Sequence, residues 1–318
     1  MCVLGRDAVA GLRLGQRIKS TYMVRDKKLG SFKGKAGHFL SLTLGDQTGK
    51  IEAKLWDKAE EAFELFARGD IVEVSGEIKE FRGTPEIHFS TYRVCLEGEF
   101  SPRDFLPVSP RDPQDMLAEL QMLVKTVREP DLVRLLELFF NDPEWLELYC
   151  AAPAAKLNHQ AYLGGLLEHS LNVARAASAI APLYPRAGRD LLVVGAILHD
   201  LGKIEEYQYN KIIDYTDEGR LLGHIVMGVR MLEKKIELLP GFPDNLRLKL
   251  LHIITSHHGC YEWQSPKKPK FLEAALVHLL DLMDATADYF SQAMDDYSDS
   301  GSNWSPWQRG IERQVYRG

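Results

Sequence analysis

The stretch AILHDLGK, residues 196–203, closes an apolar run with a histidine, an aspartate and a lysine. The run itself, LLVVGAIL (191–198), has no polar position, so it reads as a helix buried on every side. Polar residues at the end of such a helix are buried with it, and an unpaired buried imidazole or carboxylate is costly. His199 and Asp200 therefore need either ordinary hydrogen bonds or a metal ion. Working outward, the same half of the chain offers His169 in mid-helix, His224, the pair His257–His258, and Asp281, each on or at the end of an apolar helical segment. Imidazole nitrogens and carboxylate oxygens together suit first-row divalent metals. Helices of a bundle can point such ligands into one cleft. Each residue alone reads equally as a satisfied core or capping group; the order H, HD, H, HH, D within one helical region is what points to a metal.

The rest of the chain bounds the answer. A length of 318 residues, 45% hydrophobic and 26% charged, fits an ordinary globular protein of about two domains. Cys2, Cys95, Cys150 and Cys260 are scattered and form no C-x-x-C pair, which argues against a cysteine zinc site and fits a cytoplasmic protein. No run approaches the roughly 20 apolar residues that span a bilayer, and the N-terminus has no signal-like core. Net charge is −6, but residues 13–35 carry eight basic residues against one acid, a local patch suited to a polyanion.

From 17 to 95 the rhythm is that of short strands. RIKSTYMV is followed by a Gly/Lys-rich loop, KKLGSFKGKAG; HFLSLTL and KIEAKLW flank the turn GDQTG; IVEVSGEI and PEIHFSTYRV return to strand character. Between them DKAEEAFELFARGD has helical spacing at Ala59, Phe63 and Phe66, with an Asp at its start. Three strands, a helix and two strands is the order of an OB-fold barrel. A proline-rich segment then marks a boundary, and beyond it helices are expected at 115–128, 131–140, 143–150, 161–181, 188–199, 219–238, 244–258 and 271–290, with left-handed caps at Gly202 and Gly259. The predicted organisation is an N-terminal all-β OB-fold at 1–98, a linker at 99–114, an all-α bundle at 115–295 and a tail at 296–318.

The segments GGLLEHSLNVA, AILHDLGK and HLLDLMDA resemble the HD-domain metal-dependent phosphohydrolases. That resemblance implies that His169, His199, Asp200 and Asp281 hold one metal, and that His224, His257 and His258 match positions holding a second metal in binuclear members. An OB-fold followed by an HD bundle further resembles the YhaM-type 3′–5′ exoribonucleases. It implies hydrolysis of single-stranded RNA, with single-stranded DNA left open, by water activated on one or two divalent ions. Manganese is the expected ion, with magnesium, iron, cobalt or zinc also suited.

Within that reading Asp200 bridges metals and Lys203 reaches the scissile phosphate. Glu168, His159, Tyr162 and Asp284 are secondary candidates near the ligands or substrate, and the Gly164–Gly165 pair beside Tyr162 leaves backbone bare for a close approach. On the barrel, Lys27, Lys28, Lys33 and Lys35 would meet phosphates, while Phe32, Trp56, Phe81 and Tyr92 would stack bases or, individually, fill the core. Two alternatives remain at this point: a phosphohydrolase of small nucleotides, and a non-catalytic nucleic-acid-binding scaffold. The first is weakened by GCYEWQSPKKPK (259–270), which lacks the further motif of HD domains that cleave cyclic dinucleotides. Assembly into a homo-oligomer is left open.

Overall fold

The computed structural model describes residues 6–32, 34, 36–156, 160–295 and 301–317. It divides into two compact units, one of residues up to Pro107 together with Tyr209–Ile212, the other of Val108–Gln208 and Ile213 onward.

The first unit is a closed five-stranded barrel in the order β1-β2-β3-β5-β4. Its strands are β1 (Arg17–Ser31), β2 (His38–Asp46), β3 (Gly49–Leu55), β4 (Ile71–Phe81) and β5 (Thr84–Val94), with α1 (Ala59–Leu65) between β3 and β4. Period-two alternation decides the faces. Leu40, Leu42 and Leu44 of β2 are buried, with Ile51, Ala53, Leu55, Val72, Val74, Ile87 and Tyr22, while Phe39, Ser41 and Thr43 are not. Two turns set the register. Asp46 Oδ1 accepts from Thr48 N and Gly49 N at 2.7 and 3.2 Å, closing the expected GDQTG hairpin. Arg82 and Gly83 both have positive φ, 52° and 84°, as a two-residue hairpin between right-twisted strands requires.

Some expectations shift. The Gly/Lys-rich segment is not all loop: a register shift between Val24 and Asp26 absorbs the irregularity, and β1 continues through Ser31, so Lys27 and Lys28 are strand residues. Helix α1 starts after Lys58, in left-handed conformation, with no side-chain cap from the Asp expected there.

The second unit is helical: α2 (Pro113–Val124), α3 (Pro130–Phe140), α4 (Pro143–Ala151), α5 (Gly165–Ile180), α6 (Arg189–Leu198), α7 (Lys203–Glu206), α8 (Asp217–Glu237), α9 (Asp244–Ser256) and α10 (Leu272–Asp295). A short strand pair, β6 (Tyr207–Gln208) and β7 (Asp214–Tyr215), interrupts it and was not expected. Helices α2, α3 and α4 begin alike, with an acid as N-cap and proline next: Asp112, Glu129 and Asp142 each accept a backbone N–H of the first turn. Helix α6 is buried at every position from Leu191 to Leu198, as its apolar run implied, and α5, α9 and α10 pack around it. At Gly195 a Cβ would come within 2.7 Å of Ile253, so the glycine permits the α6–α9 approach.

Gly259 has the left-handed conformation expected of it, φ +79°, but Gly202 does not, at φ −68°. The reason for glycine at 202 is proximity: a Cβ there would collide with the backbone of His224 and Gly228 on α8. Similarly, α5 begins only at Gly165, because Gly164 takes φ +84° and a Cβ on Gly165 would strike the Gln160 carbonyl. That glycine pair admits a neighbouring turn of this chain rather than a substrate.

The Asp46 carboxylate also accepts from Val9 N and Arg6 Nη2, at 2.9 and 3.3 Å. Asp46→Ala orphans these donors together and should lower stability by about 2–4 kcal/mol, seen as an earlier urea midpoint in circular dichroism.

Candidate metal centre

The residues that follow α6 and α9 directly do the same thing. His199 Nδ1 donates back to the Ala196 carbonyl at 2.8 Å, and His257 Nδ1 to the Ile254 carbonyl at 2.7 Å. His258 Nδ1 donates to the Trp263 carbonyl at 2.7 Å. A carbonyl oxygen can only accept, so Nδ1 carries the proton in all three, and in the neutral ring Nε2 keeps its lone pair. His169 Nδ1 is held by Asp284 Oδ2 at 2.8 Å and His224 Nδ1 by Glu206 Oε1 at 3.1 Å. Five imidazoles are thus anchored through Nδ1 and present Nε2, the arrangement that orients histidine metal ligands.

These nitrogens meet around one carboxylate. Asp200, 1% exposed, turns Oδ2 toward His199 Nε2 (3.3 Å) and His169 Nε2 (3.5 Å), and Oδ1 toward His257 Nε2 (3.3 Å) and His224 Nε2 (3.6 Å). Asp281 Oδ1 closes the first side, 3.1 Å from His169 Nε2. His169, His199 and Asp200 form one group with ligand atoms mutually in reach of a metal; His224, His257 and His258 form another. Asp200 Oδ1, His224 Nε2 and His257 Nε2 are buried with no hydrogen-bond partner among the described residues. Orphaned lone pairs that face one another need a cation, so the residues present fit a divalent metal.

Electrostatics separates the two sides. Burial alone would lower the His169 pKa, but hydrogen bonds to Asp281 and Asp284 and the Asp200 charge carry it up to about 9. Burial, with the neighbouring His257 and His224, pushes His258 down to about 3, and burial also lowers His257. Burial would raise Asp200, yet Lys203 and His199 hold it well below the carboxylate range.

The structure brings the seven sequence-derived ligands together and sorts the other candidates. Lys203 is buried rather than solvent-exposed, with Nζ 2.6 Å from Asp200 Oδ2. Asp284 orients His169 and is itself held by Gln160 Nε2 at 2.9 Å. Glu168 accepts from Ser109 Oγ and Tyr162 OH, at 2.6 and 2.9 Å, so Glu168 and Tyr162 brace one another. His159, Lys33 and Lys35 lie outside the described residues. Glu206 was not foreseen. Its Oε1 accepts both the backbone N–H (3.0 Å) and Nδ1–H of His224, which is possible because Gly223, at φ 72°, breaks α8 just before the histidine.

On the barrel, Lys27 is engaged structurally, donating to the Phe63 carbonyl and lying over that ring, whereas Lys28 is exposed. Tyr92 packs against the barrel core, edge-on to Phe66. Phe81 is exposed, with the Arg82 guanidinium over its ring. Phe32 and Trp56 belong to a longer ladder: Phe32, Phe39, Trp56 and His88 follow one another at centroid spacings of 5.7, 5.8 and 5.0 Å, with Lys54 Nζ 5.9 Å over Phe39. Phe39 and His88 were missed, although the outward phase of Phe39, alternating with buried Leu40, Leu42 and Leu44, was a readable signal.

The family profile described as HD domain matches residues 166–286, and the profile described as OB-fold nucleic acid binding domain matches 23–94. The 3′–5′ exoribonuclease YhaM of Geobacillus sp. (strain WCH70) is 36% identical over 258 residues, 81% of this chain and 79% of its own. YhaM of Bacillus subtilis (strain 168) is 35% identical over 286 residues, 89% of each chain. An HD domain implies a divalent metal, in agreement with the histidine and aspartate groups above. Among the described residues no helix is long and apolar enough to cross a membrane.

Two expectations follow from the geometry. Because the His169 value lies above the ordinary 6.5, its ion pairs stabilise the metal-free fold fully below pH 6.5, and this contribution is lost as pH rises through about 9. Loading Mn²⁺ at pH 7 should therefore expel about one proton from His169 Nε2, and none above pH ~9; calorimetry in two buffers of different ionisation enthalpy counts it. Glu206→Ala, which frees His224, should weaken metal binding about 10- to 100-fold in the same titration.

Proposed function

The chain belongs to the YhaM 3′–5′ exoribonuclease family, and from that premise we propose that it removes nucleotides from the 3′ end of single-stranded RNA, and of single-stranded DNA, by metal-dependent hydrolysis. The observation that carries this reading is the convergence of four Nδ1-anchored imidazoles on Asp200, with His258 grouped beside His224 and His257 and Asp281 beside His169. We assign one ion to His169, His199, Asp200 and Asp281, and a second to His224, His257, His258 and the other oxygen of Asp200. Manganese is our choice for this imidazole–carboxylate set. When bound, divalent ions supply a water acidified toward neutral pH and neutralise charge on the phosphoryl oxygen.

The chain's own residues do the rest. Asp200 faces both ligand groups with its two oxygens, so it fixes their separation. Lys203 keeps that carboxylate ionised and in one orientation; a direct role on the phosphate would require the ammonium to leave Asp200 Oδ2. Asp284 and Glu206 hold His169 and His224 to single tautomers. The barrel supplies the grip through its ring ladder and Lys28 and Lys54, contacts that tolerate any base. The scattered cysteines support a cytoplasmic setting.

Incubation of 5′-labelled single-stranded RNA with Mn²⁺ should give a ladder shortened from the 3′ end, and Asp200→Asn should slow it on the order of a thousandfold. No ladder, or a fully active variant, would sink the proposal. Trp56→Ala should weaken binding of the same strand by about 1–3 kcal/mol, read by fluorescence anisotropy.

A further inference from the structure

The segment 259–270, GCYEWQSPKKPK, joins His257–His258 to α10. Its backbone is fixed from both sides. Gly259 turns it at φ +79°, Ser265 N donates to Cys260 O at 3.2 Å, and Lys267 N donates to Thr255 O at 3.1 Å. The Trp263 carbonyl is the group that anchors His258 Nδ1. The backbone at the edge of the candidate metal centre is thus held while its rings and lysines stay largely in water, the Trp263 ring also lying 6.4 Å from that of His278. Tyr261 is 60% and Trp263 51% exposed, and Lys267, Lys268 and Lys270 are exposed beside them. Lys268 Nζ lies 5.1 Å over the Tyr261 ring.

Two large rings held out in water mark a binding surface more than a packing one. Charge narrows the partner. The segment carries three lysines and one glutamate, net +2, on a chain whose residues 101–318 carry 23 basic and 30 acidic residues, net −7. A polyanion brought to this unit is repelled by most of it and attracted here. Rings interleaved with lysines suit single-stranded nucleic acid, with stacking for bases and ammonium groups for phosphates.

We propose that this loop is a strand-binding subsite of the hydrolase itself. Bases near the cleaved end stack on Trp263 and Tyr261, Lys267 and Lys268 hold the adjoining phosphates, and the strand is presented at the His258 side of the metal centre. The proposal rests on the exoribonuclease reading and adds a grip independent of the barrel, one that a mononucleotide would use only in part.

The test uses full-length protein with Mn²⁺ and a twelve-nucleotide oligouridylate. Trp263→Ala and Tyr261→Ala should each raise KM about tenfold with kcat within about twofold of the parent and bound manganese unchanged; Trp263→Phe should recover most of the loss. For Lys267→Ala/Lys268→Ala the slope of log Kd against log salt should become shallower by about 1.4. KM and salt slope unchanged in all variants would overturn the proposal. So would a parallel fall in kcat and manganese content at constant KM, since the loop would then merely support His258. If the parent cleaves no RNA, the exoribonuclease reading fails separately; Kd of the same oligonucleotide on metal-free protein still decides, a tenfold weakening upholding the subsite and an unchanged value rejecting it.

Discussion

An aspartate with 1% of its surface exposed stays ionised only if the protein surrounds it with compensating charge, and Asp200 imposes that condition on the helical unit. Lys203 reaches back one turn to it, and imidazoles from the end of α6, α5, α8 and the end of α9 are drawn to within 3.3–3.6 Å of its two oxygens. Helices that converge this closely must nearly touch at their backbones. Glycines therefore stand where they do: Gly202 against α8, Gly195 against α9, and Gly259 against the ring of His278, whose Nδ1 in turn donates to the His257 carbonyl. The all-apolar α6 at the centre is the rigid post to which the rest is referenced.

The same carboxylate divides the centre into unlike halves. On the Oδ2 side, Asp281 and Asp284 grip both nitrogens of His169 from consecutive turns of α10 and favour its protonated form. On the Oδ1 side, burial keeps His257 and His258 neutral, and Nε2 of His257 faces the carboxylate. One half favours a proton on His169; the other leaves imidazole nitrogens unprotonated. Second partners, Asp284, Glu206 and the helix-end carbonyls, fix which nitrogen of each ring is left to face the carboxylate.

The ligand set was legible in the sequence because it is ordered and because each member interrupts an apolar segment; His169, His199, Asp200, His224, His257, His258 and Asp281 do come together. The barrel was legible from alternation in FLSLTL and from its turns. What escaped depends on neighbours distant in the chain. Glu206 matters only because Gly223 breaks α8 and turns the His224 N–H toward it, and nothing in KIEEY announces that. Lys203, expected to reach the scissile phosphate, is folded onto Asp200 by its short helix. Gly202 looked like a cap and is a contact point. Lys27, placed in a loop by its glycine-rich surroundings, lies on a strand that a bulge extends.

Under the proposed function the converging Nε2 atoms and the two oxygens of Asp200 form a two-ion site. Crystals of the manganese-loaded protein, measured at the manganese absorption edge, test it most directly. Two anomalous peaks are expected, one on each side of the Asp200 carboxylate, with every histidine bound through Nε2. A single peak, peaks elsewhere, or ligation through Nδ1 would contradict it.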